Sequence, residues 1–389
     1  MIPMFERESV IIREPKKLSF DYIPDKLPGR EEQLNLLEMI FRPVIESGTS
    51  EYAFFTGSVG TGKTVTSKFF INELMRYSAR HNIPMDYIFV NCRQKGTESG
   101  VLYQCLHHYD EGYPDRGFSP EEMLRALRSH IERSGKRVVI VMDEANILLK
   151  KGPVNLIYQL SRMSEESLNK QMSVSLILIS QEYVIDRLDE ASRSTFKKVN
   201  TIRFDRYSLN QLKEIVRYRA EESLVAGSYD DGIVNMIAEM ASADGDARFA
   251  LDLLDKAART AEMRPDGKII PEDVRQVGSL VFSVVNTAKL EELGRNELFA
   301  LLAVSRAIKD KGYIRINDAE KTYHIVCEEY GEEPRKHAQF YQYVRDLMKQ
   351  NLLSEAKDAE SSKSMCVSLP DIPSKELSKR IEKILGDPQ

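Results

Sequence analysis

Gly57-Ser58-Val59-Gly60-Thr61-Gly62-Lys63-Thr64 puts three glycines, a lysine and a closing threonine into eight residues. Glycines at this spacing let successive backbone N–H groups turn inward and approach an anion without Cβ clashes. A helix that starts at Lys63 adds the partial positive charge of its N-terminus. Lys63 supplies a point charge for β- and γ-phosphates, and the Thr64 hydroxyl is placed to ligate Mg²⁺. The stretch fits G-x-x-x-x-G-K-[ST], with an apolar stub before it and an amphipathic run after it, the setting a phosphate cradle requires. The competing reading is a tight glycine-rich turn.

Such a cradle needs acidic partners at the end of a neighbouring strand. The run Val138 to Glu144, VVIVMDE, supplies them. Asp143 would hold Mg²⁺ through water, and Glu144 would orient and deprotonate an attacking water. A further apolar run ends in LILISQE, whose polar tip would touch the γ-phosphate or the water; Gln181 is the first candidate and Ser180 the second. In GDARFALDLL, Gly245 and Asp246 make a turn and cap, and Arg248 falls in the first helical turn, where an arginine can sense the γ-phosphate. In RLDEASRSTFKK, Arg193, with Arg187 as rival, would project toward the site of a neighbouring copy. Catalytic work is thus expected of Lys63, Glu144, Gln181, Arg248 and Arg193.

The elements that must position these residues alternate. Arg30 to Ile45 reads as a helix with Leu34, Leu37, Ile40 and Phe41 on one face. Strands are expected at Tyr52 to Phe55, Tyr87 to Asn91, Arg137 to Glu144, Val174 to Ser180 and Thr201 to Phe204. Helices at Lys63 to Tyr77 and Ser119 to Arg133 separate some of them, the latter opened by a capping box of Ser119 and Glu122. The strand at Arg137 is apolar on both faces, which predicts a central position in a parallel sheet covered by helices.

After Phe204 the strands stop. A second capping box, Ser208 and Gln211, opens a helix through Ser223, and helices follow near 230–241, 246–260 and 271–281. A third unit has helices at Arg295 to Lys309, Asn317 to Tyr330 and Lys336 to Gln350, then a β-hairpin with LLSE and MCVSL as arms and 356–364 as tip. Three helices and a hairpin describe a winged helix-turn-helix. The expected division is 1–205 for the nucleotide-binding α/β domain with its N-terminal extension, 206–285 for a helical lid and 291–389 for the winged helix.

Composition limits the alternatives. The 389 residues are 42% hydrophobic and 30% charged, a globular mix with ample core for two or three domains. No stretch approaches the length of a membrane span, and nothing at MIPMFERESV points to secretion, so a cytoplasmic, nucleoid-associated protein is expected. Cys92, Cys105, Cys327 and Cys366 form no CxxC pair and read as reduced thiols. The net charge of -5 does not advertise nucleic-acid binding, so any DNA contact must rest on local basic residues.

Taken together, the cradle, acidic strand end, polar tip and arginine-bearing lid resemble the AAA+ ATPases. YIPDKLPGREEQLNLL, FVNCRQKGT, GDARFALDLL and FYQYVRDLMKQNLLS resemble the archaeal replication initiators, relatives of the eukaryotic origin-recognition and helicase-loading proteins, over nearly the whole chain. The resemblance implies ATP/ADP and Mg²⁺ as ligands, slow ATP hydrolysis acting as a switch, and recognition of double-stranded origin DNA. It also implies recruitment or loading of the minichromosome maintenance helicase, with other initiator copies as further partners. It places the adenine beside Tyr22, Leu27, Pro28 and Arg30. The chain departs from the family's usual asparagine at Gln181 and its usual histidine at Gly29. The family's D-P-R-V is replaced by Asp189-Glu190-Ala191-Ser192, which leaves Arg193 as the finger.

In a winged helix the third helix enters the major groove and the wing meets the backbone or minor groove. Opposite Phe340 and Val344 lie Gln339, Gln342, Tyr343 and Asp346, with Arg335, Lys336, Arg345 and Lys349 within or beside that face. Glutamine can read adenine, and lysine or arginine can neutralise phosphates. Lys357 and Lys363 sit on the wing. The inserted stretch 92–118 is a second place for DNA contact. A different class of function remains beside this one: a regulatory ATPase whose winged helix binds a protein partner, favoured by the acidic CEEYGEEP.

Overall fold

The computed structural model describes residues 9–150, 155–164, 172–182, 200–264, 267–281, 290–308, 311–350, 352–356, 365–369 and 373–386. Arg187, Arg193, Lys357 and Lys363 lie outside the described residues. The chain divides into two units. One comprises Ile23–Tyr207 with Gly245–Ala247; the other holds the residues up to Tyr22, Ser208–Asp244 and everything from Arg248 on.

Helices α2 (Glu31–Glu46), α3 (Lys63–Arg80), α4 (Glu98–Tyr109), α5 (Pro120–Ser134), α6 (Ala145–Lys150) and α7 (Asn155–Arg162) surround strands β1 (Tyr52–Thr56), β2 (Met85–Asn91), β3 (Arg137–Asp143), β4 (Val174–Ser180) and β5 (Asn200–Arg203); α1 is a single turn at Pro15–Leu18 in the other unit. The sheet order is β2-β3-β4-β1-β5, and every pairing is parallel. Alternation along β3 explains its apolar run. Val139 and Val141 pack with Phe55, Ile177, Ile179 and Ile202 under α2 and α3. Val138, Ile140 and Met142 pack with Ile88, Val90, Leu176 and Leu178 under α4 to α7. Each such side chain contributes about 2 kcal/mol of transfer free energy, so covering both faces makes this sheet the centre of the unit. The capping box of Ser119 and Glu122 forms at the start of α5.

The other unit begins with a strap. Ile12 bridges antiparallel to Leu224, and the N–H groups of Arg13 and Glu14 donate to the Ser223 carbonyl. The lid helices follow: α8 (Leu209–Ser223), opened by the capping box of Ser208 and Gln211, α9 (Asp231–Ser242), α10 (Ala247–Ala261) and α11 (Pro271–Val281). The winged helix is built from α12 (Arg295–Ile308), α13 (Ile316–Glu329), α14 (His337–Lys349) and the antiparallel sheet β6-β8-β7, where β6 is Ile314–Arg315, β7 Ser354–Ala356 and β8 Cys366–Ser368. A terminal helix α15 (Ser374–Leu385), absent from the sequence reading, closes this core with Leu377 and Ile381 against Phe299, Tyr323, Phe340 and Val344. Among the described residues no helix is long and apolar enough to cross a membrane.

Candidate nucleotide site and nucleic-acid face

The cradle leaves the carboxyl end of β1 and ends as the first turn of α3. Gly60 and Gly62 have φ of 75° and 83°, the left-handed region that side chains rarely adopt. Space is also denied there. A Cβ on Gly60 would run into the Asp246 carboxylate, and one on Gly62 into the Tyr207 hydroxyl. Lys63, only 8% exposed, folds its ammonium back to donate to the carbonyls of Gly57 (2.7 Å) and Ser58 (2.6 Å). The point charge is therefore held inside the loop, where a phosphate oxygen can take over its bonds.

Asp143 ends β3, two strands from β1, and is buried. The Thr64 hydroxyl donates to its Oδ2 at 2.9 Å, and the Glu144 N–H donates to its Oδ1 at 2.9 Å. A hydroxyl and a carboxylate meeting beside the cradle are the oxygen donors a hard divalent cation takes, so the residues present fit Mg²⁺. Glu144 has φ of 54°, uncommon for a side-chain-bearing residue and costing about 1 kcal/mol or more. Its place is fixed by the bond to Asp143 and by the Ile147 N–H, which donates to the Glu144 carbonyl. Its carboxylate faces the Arg93 guanidinium at 3.8 Å. Cys92, beside this acidic pair, is buried; burial, with the charges of Asp143 and Glu144, pushes its thiol up to about 12, and all four cysteines are free.

At the end of β4, the Gln181 side chain is exposed. Ser180 is buried and bonded both ways to the Glu182 backbone. Arg30 is nearly inaccessible. Its Nε and Nη2 donate to the Thr61 carbonyl at 3.0 and 2.8 Å, Nη2 also reaches the Asp205 carbonyl, and the guanidinium lies 3.6 Å from the Tyr207 ring centroid. Burial lowers its pKa from the ordinary arginine value and raises that of Tyr207. Arg30 thus braces the cradle backbone from behind. Leu27 and Pro28 lie partly exposed in the preceding turn, where the Arg30 N–H donates to the Leu27 carbonyl. Tyr22 belongs to the other unit; its hydroxyl bonds Glu222 at 3.3 Å and its ring lies beneath the Arg219 guanidinium.

The chain returns to the cradle at the start of the lid: the Ala247 N–H donates to the Gly60 carbonyl at 3.2 Å, next to Asp246. Arg248, one residue on, is exposed in the first turn of α10. Tyr207 and Arg93 were not singled out from the sequence, and Asp246 was read only as a turn and cap. Each meets the site through a fold contact with a residue far away in the chain, which no local pattern signals.

On α14 the buried face is Phe340, Val344 and Leu347. Arg335, Lys336, Gln339, Gln342 and Lys349 are exposed, and Tyr343 partly so. Arg345 lies over the Tyr341 ring. In the acidic stretch that ends α13 and follows it, Glu329 pairs with Arg306 and Glu332 with Arg295, while Glu328 and Glu333 are exposed.

Parallel sheet, phosphate cradle, acidic strand end, helical lid and winged helix together define a AAA+ ATPase with a C-terminal winged-helix domain. An AAA domain matches residues 47–188, the Cdc6 AAA+ ATPase-type lid domain residues 213–279, and the CDC6 C-terminal winged helix domain residues 289–371. An ORC1-type DNA replication protein of Pyrococcus horikoshii is 31% identical over 345 residues, covering 87% of this chain and 81% of the relative. Cdc6p of Pyrobaculum aerophilum superposes with a TM-score of 0.81 at 27% identity, over 96% of this chain and 98% of that one. The Aeropyrum pernix ORC1 protein, solved in complex with DNA, shares the fold at a TM-score of 0.65 and 24% identity, over 97% of this chain and 98% of that one. The chain belongs to the ORC1/Cdc6-type replication initiator family.

Proposed function

We propose that the protein is an ATP-dependent initiator that binds double-stranded origin DNA through its winged helix and helps to recruit or load the minichromosome maintenance helicase. Hydrolysis is slow and serves as a switch. The observation that carries this reading is the meeting of Thr64 and Asp143 beside Lys63, at the carboxyl ends of β1 and β3, in a member of this family. Thr64 and Asp143 would hold Mg²⁺, which when bound neutralises charge on the phosphate oxygens. Lys63 exchanges the Gly57 and Ser58 carbonyls for β- and γ-phosphate oxygens. The Glu144 carboxylate takes a proton from the attacking water, and its fixed backbone limits the motion that step needs. Gln181 or Ser180 positions that water, Arg248 senses the γ-phosphate, and Arg193 is the candidate finger toward a second copy. Tyr22, Leu27 and Pro28 enclose the adenine, with Arg30 at the edge of that segment.

On this reading Arg335, Lys336, Gln339, Gln342, Tyr343 and Lys349 meet the DNA, with Lys357 and Lys363 as further candidates; a protein of the same fold from Aeropyrum pernix was solved in complex with DNA. Two glutamates of the acidic stretch, Glu329 and Glu332, pair with Arg306 and Arg295 of the same module, which leaves part of its charge for a protein partner. The test is retention of origin-proximal duplex DNA on filters from 50 to 200 mM salt, with ATP or ADP. Binding should fall steeply, by a slope of about 0.9 per phosphate contact on a log–log plot. No retention at the lowest salt would favour the regulatory ATPase.

A further inference from the structure

On α14, Gln342, Asp346 and Lys349 form one outward row. The Gln342 Nε2 donates to Asp346 at 3.1 Å (Oδ1) and 3.0 Å (Oδ2), and the Lys349 Nζ lies 2.7 Å from Oδ1. These partners hold the Asp346 carboxyl below its usual range, the Lys349 bond first and Gln342 second.

A free glutamine amide is ambidextrous. Turned one way it offers a carbonyl oxygen to a base; turned the other way it offers N–H. A carboxylate can only accept, so Asp346 fixes the turn: nitrogen toward Asp346, oxygen on the opposite branch of the amide. In the major groove adenine N6 and cytosine N4 donate, whereas guanine O6 and thymine O4 accept. An outward glutamine oxygen therefore attracts the first pair and repels the second. Asp346 itself adds a second acceptor in the same row and, with its charge, keeps phosphates away from it. The bias is modest in water and grows in a groove that excludes it.

We propose that Asp346 is a specificity-determining residue: by fixing the Gln342 amide it makes α14 select an amine-bearing base, adenine or cytosine, over a keto-bearing one, guanine or thymine, at one position of the strand it reads. This rests on the DNA-binding reading above. The test is selection from a pool of double-stranded DNA randomised over the site, retained on filters by the full-length protein and sequenced. Wild type, Asp346→Ala and Gln342→Ala are compared, with thermal melting to show that each variant folds. One position should favour A or C over G or T by about fivefold with wild type, the worth of one net hydrogen bond. That preference should fall to near unity in Asp346→Ala and weaken in Gln342→Ala, where the Asp346 acceptor remains, while Asp346→Ala binds the unselected pool more tightly. Retention with an unchanged profile in Asp346→Ala, or a wild-type preference for G or T, would overturn the role of Asp346 and leave DNA binding standing. No salt-sensitive retention of any duplex by wild type would overturn both.

Discussion

The cradle and the α14 face are built on opposite plans. Around the cradle Lys63, Asp143 and Arg30 are buried and held several times over. Lys63 is bonded to two carbonyls, Asp143 to Thr64 and to the Glu144 backbone, and Arg30 to Thr61 and Asp205 across a stacked tyrosine. On α14 the Gln342, Asp346 and Lys349 side chains lie at the surface and hold one another across about one helical turn. The first plan suits chemistry that needs fixed positions; the second suits a surface that must fit itself to a partner. Stability and function should be coupled at the cradle and separable on α14.

The largest effect should come from Glu144→Gln. It keeps the shape and the strained backbone, so nucleotide affinity should stay within about threefold while hydrolysis falls by a factor on the order of 100 to 10000. Equal loss of binding and turnover, measured by isothermal titration and phosphate release, would remove Glu144 as the base. Arg30→Met should test the buried plan next. It leaves the Thr61 and Asp205 carbonyls without their donor and costs about 3 kcal/mol, seen as a melting temperature lowered by several degrees together with weaker nucleotide binding. An unchanged melting temperature would show that the brace is dispensable. Lys336→Ala should have the smallest effect: melting within about 1 °C of wild type, and a DNA salt slope reduced by about one. A large loss of stability there would break the contrast between the two plans.

The difference in plan also explains what could be read from the chain alone. Strands β1, β3 and β4 and both capping boxes announce themselves through local patterns, because an apolar run or a Ser-x-x-Glu/Gln spacing carries its physics within a few residues. The cradle is legible for the same reason. Helix α4 was expected only as unspecified helical insertion, since Gly100 in its first turn and His107 and His108 in its last blur the pattern of Val101, Leu102, Cys105 and Leu106. Helix α15 was not read at all; it buries only Leu377 and Ile381 among its apolar residues. The braces escaped because their partners are distant: Arg30 meets Thr61 and Asp205, Gly60 meets Asp246, and Arg93 meets Glu144. Asp346 stood on the expected reading face, but its hold on Gln342 emerges only from the side-chain geometry.

The central claim is that the ammonium of Lys63, held within the loop between β1 and α3, grips the phosphates of a magnesium-bound nucleotide. The most direct measurement is titration of Mg·ATP into the wild type and into Lys63→Ala, with circular dichroism to confirm the fold of both. The account predicts saturable binding by the wild type and a loss of at least about 100-fold in the variant, the cost of leaving a charged partner unmatched. Equal affinity in the two proteins, or no binding by the wild type, would contradict it.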